Sequence, residues 1–533
     1  MRPFDDPTRP ASHRRSIRTL WPAVALVAIV AFVGLIRVRL LDFPLERDEG
    51  EYAYAGQLIL HGLAPYQLCH TMKLPGTAAA YALAMAIFGQ TTEGVHLGLL
   101  LVNSATIVLM YILASRLLGR PAGIVAAASF ALLSLQPAML GFAGHATHFV
   151  LLPALGGLIL LLKGIESQKP AAFLASGLLL GLGFLMKQPG VFFIFFALAY
   201  LVLCLYRGTL GRRQFVAGAL MLCVGALIPF GLTCILMLAA GALEPFWFWT
   251  IEYSSKYAAI LTLADGAVLF LHSALYIVLS ALALWLMAAA GLARLLTDRQ
   301  MRDRVPFILG FLAFSFLAIC PGLYFRPHYF LLGLPAAALL CGVVVAGRGG
   351  RLVSWVLVAA AFGLSLMQSR EFLFLTPPIA ASMDVYGSNP FAQLPAVAAL
   401  VEQHTSPKDR IAVIGSEPEL YFYTRRLSAT GYMYMYPLME PQPFASTMQR
   451  EMVSQIETAA PEMIVLVKEQ MSWLERPDSD RYILSWSEDY LRAHYRAVDI
   501  SSLAEARVDH LSDVETEEYR SGYKTITVYE RVE

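Results

Sequence analysis

The sequence predicts an α-helical polytopic membrane protein, about eleven spans plus interfacial helices, carrying a C-terminal α/β domain. Three observations predict it. Of 533 residues, 57% are hydrophobic and only 15% charged, against about 45–50% and about 25% in soluble domains. The excess falls in charge-poor runs of roughly 17–28 residues, long enough to cross about 30 Å of hydrocarbon. The formal net charge of +1 hides two unlike parts: residues 1–370 hold 26 Lys and Arg against 14 Asp and Glu, whereas residues 371–533 hold 14 against 25. An ordinary cytosolic enzyme and a disordered chain are both excluded. No nucleic-acid partner is expected.

At the start of the chain, Arg2, Arg9, Arg14, Arg15 and Arg18 precede an apolar run from Thr19 to Ile36. The run is long for a signal peptide and lacks a small-residue cleavage site, so it reads as a first span with a cytoplasmic N-terminus. Further spans are expected at 94–115, 121–143, 147–162, 170–186, 190–206, 215–241, 266–293, 305–323, 329–347 and 352–369. Cations cluster at Arg116/Arg120, Lys163/Lys169, Arg207/Arg212/Arg213, Arg294/Arg299/Arg302/Arg304 and Arg348/Arg351. Two apolar segments separate consecutive clusters, which places every cluster on the cytoplasmic face. Gly76–Gly89 is apolar but too short to span, and is expected to lie at the outer surface. Arg37 and Arg39 are exceptions to the charge rule. Six cysteines show neither a disulfide framework nor zinc spacing.

Residues 371–533 read as an external α/β domain. Arg410–Gly415 and Met463–Val467 are short β-branched runs, Tyr482–Tyr495 is helix-like, and Tyr523–Arg531 alternates like a strand. Ile411–Gly415 with Ser416 and Glu417 after it resembles a nucleotide-binding turn without its glycine pattern. A lid or an acceptor-binding domain is the better reading.

Polar residues collect on the predicted outer face. The first external loop, 37–93, contains Arg47-Asp48-Glu49-Gly50-Glu51-Tyr52, then Lys73-Leu74-Pro75-Gly76. Asp48-x-x-Glu51 fits a capping box ahead of a helix at 49–61. The same position suits a carboxylate acting as general base, which needs fixed placement. Lys73 fits either a snorkelling interfacial lysine or a cation for a lipid phosphate. His145 and His148 are three apart, a spacing open to metal binding or to two interfacial histidines. Lys187 in Lys-Gln-Pro-Gly and Arg326 in Arg-Pro-His328-Tyr are cations on the wrong side for the charge rule, and so point to an anionic partner. Trp247 and Trp249 read as belt anchors or as a surface for sugar or lipid.

The stretches RDEGEYAYAGQLILHGLAPY, MKLPGTAAAYALAMAIFG, GLLLGLGFLMKQPG, FWFWTIEY and RPHYFLLGLPA resemble bacterial C-type (GT-C) glycosyltransferases of the protein-mannosyltransferase and aminoarabinose-transferase branch (family 39). VIGSEPELYFYTRR looks like the external domain of some members. The resemblance implies a membrane catalytic domain over 1–370 and a periplasmic domain over 371–533, in a bacterial inner membrane. It implies inverting transfer of a monosaccharide from a polyprenyl-phosphate carrier to an envelope lipid, glycan or protein. Asp48, with Glu49 beside it, would deprotonate the acceptor. Lys73 matches the family lysine that comes after the acidic pair. With Lys187 and Arg326, added from topology, it would neutralise the leaving phosphate. His328 and Tyr52 are expected substrate contacts. No cofactor is certain; a divalent metal on Glu49, His145 and His148 is a candidate. The family loop often reads Lys-Pro-Pro where this chain has Lys73-Leu74-Pro75-Gly76, a departure beside the phosphate lysine that leaves Asp48 untouched. The alternatives are a lipid-linked-sugar flippase, against which the lack of intramembrane charge and of a clear internal repeat argues, and a non-catalytic scaffold.

Overall fold

The computed structural model describes residues 12–347, 352–505 and 511–532. Arg2, Arg9, Arg348 and Arg351 lie outside these residues, as do the side chains of Arg14, Arg15 and Arg18. Helices fill the chain up to Gln368, and one small mixed sheet lies in the last quarter. Among the described residues, six helices are long and apolar enough to cross a membrane: Leu20–Arg39, Thr92–Leu118, Ala146–Ser167, Gln188–Tyr206, Arg212–Ala239 and Leu263–Ser280.

Several expected spans are shorter than their apolar runs. The run at 266–293 is not one helix: it breaks at Ala281 (φ −142°, ψ 42°) into Leu263–Ser280 and Leu282–Thr297. The run at 121–143 stops being helical at Leu133. Beyond Leu133 the backbone is buried and irregular, which is tolerated only when its carbonyls find donors. Arg37 supplies them, donating to Ser134 O at 3.2 Å, Gly141 O at 3.0 Å and Phe142 O at 3.4 Å, and to Asn103 Oδ1 at 3.3 Å. Arg39 likewise donates to Leu373 O, Thr376 O and Phe372 O. The two exceptions to the charge rule are therefore structural donors. The run at 329–347 begins as a 3₁₀ turn, Pro327–Gly333, before the helix Leu334–Val343.

Basic clusters from separate helices meet at one end of the bundle. Arg304 donates to Leu117 O at 2.9 Å, Arg116 pairs with Glu166 at 2.6 Å, and Arg294 donates to the carbonyls of Val343, Val344 and Ala346. Gly76–Phe88 is a separate 13-residue helix, about 20 Å long at 1.5 Å per residue. It packs against Arg47–Leu60 so closely that a Cβ on Gly56 would meet Met85 Cε at 2.7 Å. All six cysteines are free.

The sheet has strands β1 (Arg410–Ile414), β2 (Leu427–Ser428), β3 (Met463–Val467), β4 (Tyr495–Ala497) and β5 (Ile526–Arg531), in the order β2-β1-β3-β5-β4. β1 runs parallel to β2 and β3, while β5 is antiparallel to β3 and β4. Strand alternation sends the side chains of β1 and β3 to two different cores. Ile411, Val413, Met463 and Val465 pack with Leu45, Tyr54 and Leu58 of the first loop. Ala412, Ile414, Ile464 and Leu466 pack with Met448, Met452 and Ile456 of the helix Ala445–Ala459. The Ser416-Glu417 turn is not a nucleotide cradle: Glu417 is fully buried and paired with Arg47 at 2.8 Å.

Candidate functional site

The helix Arg47–Leu60 begins earlier than a cap at Asp48 requires. Its N-cap is Glu46, whose side chain accepts from Glu49 N at 3.0 Å, while the Glu49 side chain reaches back to Glu46 N. The capping box is thus Glu46-x-x-Glu49, not Asp48-x-x-Glu51. Because Glu46 and Glu49 serve the helix end, Asp48 is left to face a cavity.

That cavity has a volume of about 310 Å³, within the range of small-molecule sites. Asp48, Lys73, His145, Lys187, Arg326 and His328 all line it. They arrive from five separate segments, so only the tertiary fold brings them together. Lys73 Nζ donates to Asp48 Oδ1 at 2.7 Å and to Glu51 Oε2, and lies 4.5 Å from the centre of the Tyr52 ring. Lys187 Nζ sits 4.0 Å from the centre of the Tyr329 ring. Tyr52 is buried beneath Lys73 rather than on the cavity wall.

Burial works against ionisation of Asp48, but the Lys73 ammonium and the His145 contact outweigh it and hold the carboxyl well below the usual range. Burial works equally against Lys73, and Asp48 and Glu51 outweigh it, so the ammonium is held well above its usual range. Lys187 has no carboxylate partner that close. Burial pulls it down to about 7, only partly offset by Asp48. Glu46 goes the other way, pushed by burial to about 7 against the pull of His145.

Two expected ligands lie elsewhere. Glu49 is turned out of the cavity: it accepts from Gly144 N at 2.5 Å and contacts His96 Nε2 at 3.2 Å. His148 contacts Gly141 O through Nε2 at 2.9 Å. The Glu49, His145, His148 set therefore does not converge, because His145 is the residue before its helix rather than part of a shared helical face. A different set does: Asp48, His145 and His328 bring three ligand atoms within 4.8 Å of one another. The two imidazoles stack at 4.0 Å, and both ring nitrogens of His145 are buried without a hydrogen-bond partner. Two imidazoles with a carboxylate are a donor set that fits a divalent cation such as zinc.

Other lining residues had weak sequence signals or none. Glu46 and Glu51 lie in the acidic run, but only the helix phase tells which of its members face inward. His70, Tyr253, Tyr257, Tyr434, Tyr436 and Glu440 also line the cavity. The last three come from residues 371–533, where the alternation Tyr432-Met-Tyr434-Met-Tyr436 was the available clue. Trp249 is a wall residue stacked 5.1 Å from His70, whereas Trp247 is exposed.

The architecture is similar to that of GT-C-type membrane proteins. Residues 72–232 match the dolichyl-phosphate-mannose-protein mannosyltransferase family, a stretch that includes Lys73, His145 and Lys187. The structure is similar to ArnT from Cupriavidus metallidurans bound to undecaprenyl phosphate, with 15% identity, TM-score 0.58, and coverage of 96% of this chain and 98% of that one. It is also similar to the Archaeoglobus fulgidus oligosaccharyltransferase AglB in complex with an inhibitory peptide and a dolichol-phosphate (14% identity, TM-score 0.52, covering 91% and 74%). A zinc and sulfate complex of the Archaeoglobus fulgidus oligosaccharyltransferase matches at 13% identity and TM-score 0.51, covering 95% and 88%. At these identities the likeness is one of fold. No curated protein matches by sequence.

Proposed function

We propose that the protein transfers a monosaccharide from a polyprenyl-phosphate carrier to an acceptor in the cell envelope, with inversion, on the external face of a bacterial inner membrane. The observation that carries this reading is the meeting of Asp48 with Lys73, Lys187 and Arg326 in one cavity of a GT-C fold. The carriers bound by ArnT and by AglB are lipid phosphates, and the cation set here suits the same ligand chemistry. Residues 1–370 form the catalytic part in this reading, and 371–533 an external part that closes the cavity.

In this mechanism Asp48 is ionised at neutral pH and takes the acceptor proton as the acceptor oxygen attacks the anomeric carbon. The bond from that carbon to the phosphate oxygen breaks, and the leaving phosphate gains negative charge. Lys187 and Arg326 meet that charge from the cavity wall. Lys73 orients Asp48 through its 2.7 Å contact and adds a third positive charge. Tyr52 supports Lys73 from below. His145 and His328 would hold a divalent cation together with Asp48. Such an ion, when bound, would supply further positive charge for the phosphate.

Purified wild type and Asp48→Asn are compared for sugar release from a polyprenyl-phosphate-sugar in the presence of membrane acceptors. Loss of a general base is expected to lower turnover roughly 10²- to 10⁴-fold. Equal turnover by the two proteins would sink the assignment, and would favour a flippase or a scaffold.

A further inference from the structure

One carboxylate on the cavity wall is left unused by base, phosphate and cation roles. Glu440 comes directly after the short helix Tyr436–Met439 in the C-terminal part and lines the same cavity as Asp48. Its Oε2 accepts the Tyr253 hydroxyl at 2.6 Å. Among the described residues, no Lys, Arg or His nitrogen lies within 4.0 Å of this carboxylate. Glu440 is partly buried, and burial pushes its carboxyl up to about 7, opposed by the Tyr253 hydroxyl and by the more distant Arg476 and Arg326; hydroxyl donors from a ligand would favour its ionised form further.

The surroundings of Glu440 are aromatic and held in place. Tyr257 stacks on Tyr324 with ring centres 4.5 Å apart and planes within 8°. Trp249 packs edge to face with Tyr253 at 5.0 Å and stacks on His70. Rings offer apolar area to the C–H face of a polyol, while a carboxylate accepts from its hydroxyls. Among the described residues, a phosphate finds no cation within 4.0 Å of this carboxylate and is drawn instead to Lys187 and Arg326.

We propose that Glu440, positioned by Tyr253, binds hydroxyl groups of the transferred sugar and so determines which sugar-bearing carrier the protein accepts. The inference rests on the donor reading above and deepens it: selectivity would be supplied by residues 371–533, not by the first loop that carries Asp48.

The test uses the full-length protein in detergent, titrated with bare prenyl phosphate and with prenyl-phosphate monosaccharides that differ at single hydroxyls. Tryptophan fluorescence, with Trp249 in the wall, reports binding. Wild type is expected to bind bare prenyl phosphate and to rank the sugar lipids. Glu440→Gln and Tyr253→Phe should leave bare prenyl phosphate within about twofold, which also shows that the variants are folded. Both should weaken the preferred sugar lipid roughly ten- to hundredfold, the scale of one hydrogen bond to a charged group, and flatten the ranking. An unchanged ranking, or equal losses for bare and sugar-bearing lipid, overturns the inference while leaving the donor reading intact. So does normal donor binding with transfer alone impaired, which would place Glu440 at the acceptor. Failure of wild type to bind any prenyl phosphate would overturn the donor reading and this inference with it.

Discussion

Four carboxylates within six residues are sorted by helix phase. Glu46 caps at the cavity wall, Glu49 turns away from the cavity to Gly144 N and His96, and Asp48 and Glu51 both line the cavity and share Lys73. Composition alone makes them equivalent; a rotation of about 100° per residue separates them. Glu49→Ala should therefore act on stability first. It strips a buried acceptor from Gly144 N, at a cost of about 1–3 kcal/mol, read as a lower midpoint in thermal unfolding. Lys187 gives a pH prediction. Its ammonium is pulled by burial down to about 7, so it is charged below that pH and neutral above it. Phosphate favours the charged form. Affinity for a prenyl-phosphate-sugar, whose diester does not titrate in this range, should fall as pH rises through about 7. Lys187→Met should flatten that fall, and a slope shared by both proteins would count against the role.

At the scale of elements, the helix bearing Asp48 is clamped to the C-terminal part. Arg47 donates to Ser416 O at 2.6 Å and pairs with Glu417; Ser428 N donates to the Tyr54 hydroxyl at 2.8 Å, and Gln57 Nε2 to Phe422 O at 3.2 Å. Glu417→Ala leaves the Arg47 charge buried and unpaired, which should cost about 3–5 kcal/mol. At Gly50 the two parts touch backbone to backbone: a Cβ there would meet Glu419 N at 2.5 Å and its Cα at 2.7 Å. Backbone cannot yield as a flexible side chain would, so Gly50→Ala should push the helix away, lower the unfolding midpoint and misplace Asp48 two residues earlier. Normal turnover in Gly50→Ala would show that this contact does not place the carboxylate.

At the scale of the whole molecule, residues 371–533 complete the cavity through Tyr434, Tyr436 and Glu440. They also hold the first loop through His70 N, which donates to Gly431 O at 2.6 Å. Removing residues 371–533 should expose loop 37–93 to protease; a loop as resistant as in the full chain would argue against this clamp. Sidedness is tested separately. In a cysteine-free background, a thiol at Thr91 should react with an impermeant reagent from outside, and one at Arg120 should not. The reverse result would place Gly76–Phe88 across the membrane.

Much was legible in the sequence because membrane insertion is read locally. Long apolar runs, the separation of positive and negative parts, and the short 76–89 segment are properties of composition over about 20 residues. Lys73, Lys187 and Arg326 stood out as charges in apolar neighbourhoods, and Asp48 as part of an acidic run at a predicted helix start. The helix break at Ala281 and the irregular stretch after Leu133 were not legible, since both depend on packing partners far along the chain. The converging set Asp48, His145 and His328 was also hidden, because its members lie 97 and 183 residues apart. By itself the sequence determined a helical membrane protein with a separate acidic part and a short roster of unusual charges. Only the tertiary structure decided which of those charges share a cavity, which carboxylate caps and which faces inward, and that residues 371–533 supply one wall. The physical reason is that burial and hydrophobicity act along the chain, whereas a site is made by side chains meeting across it.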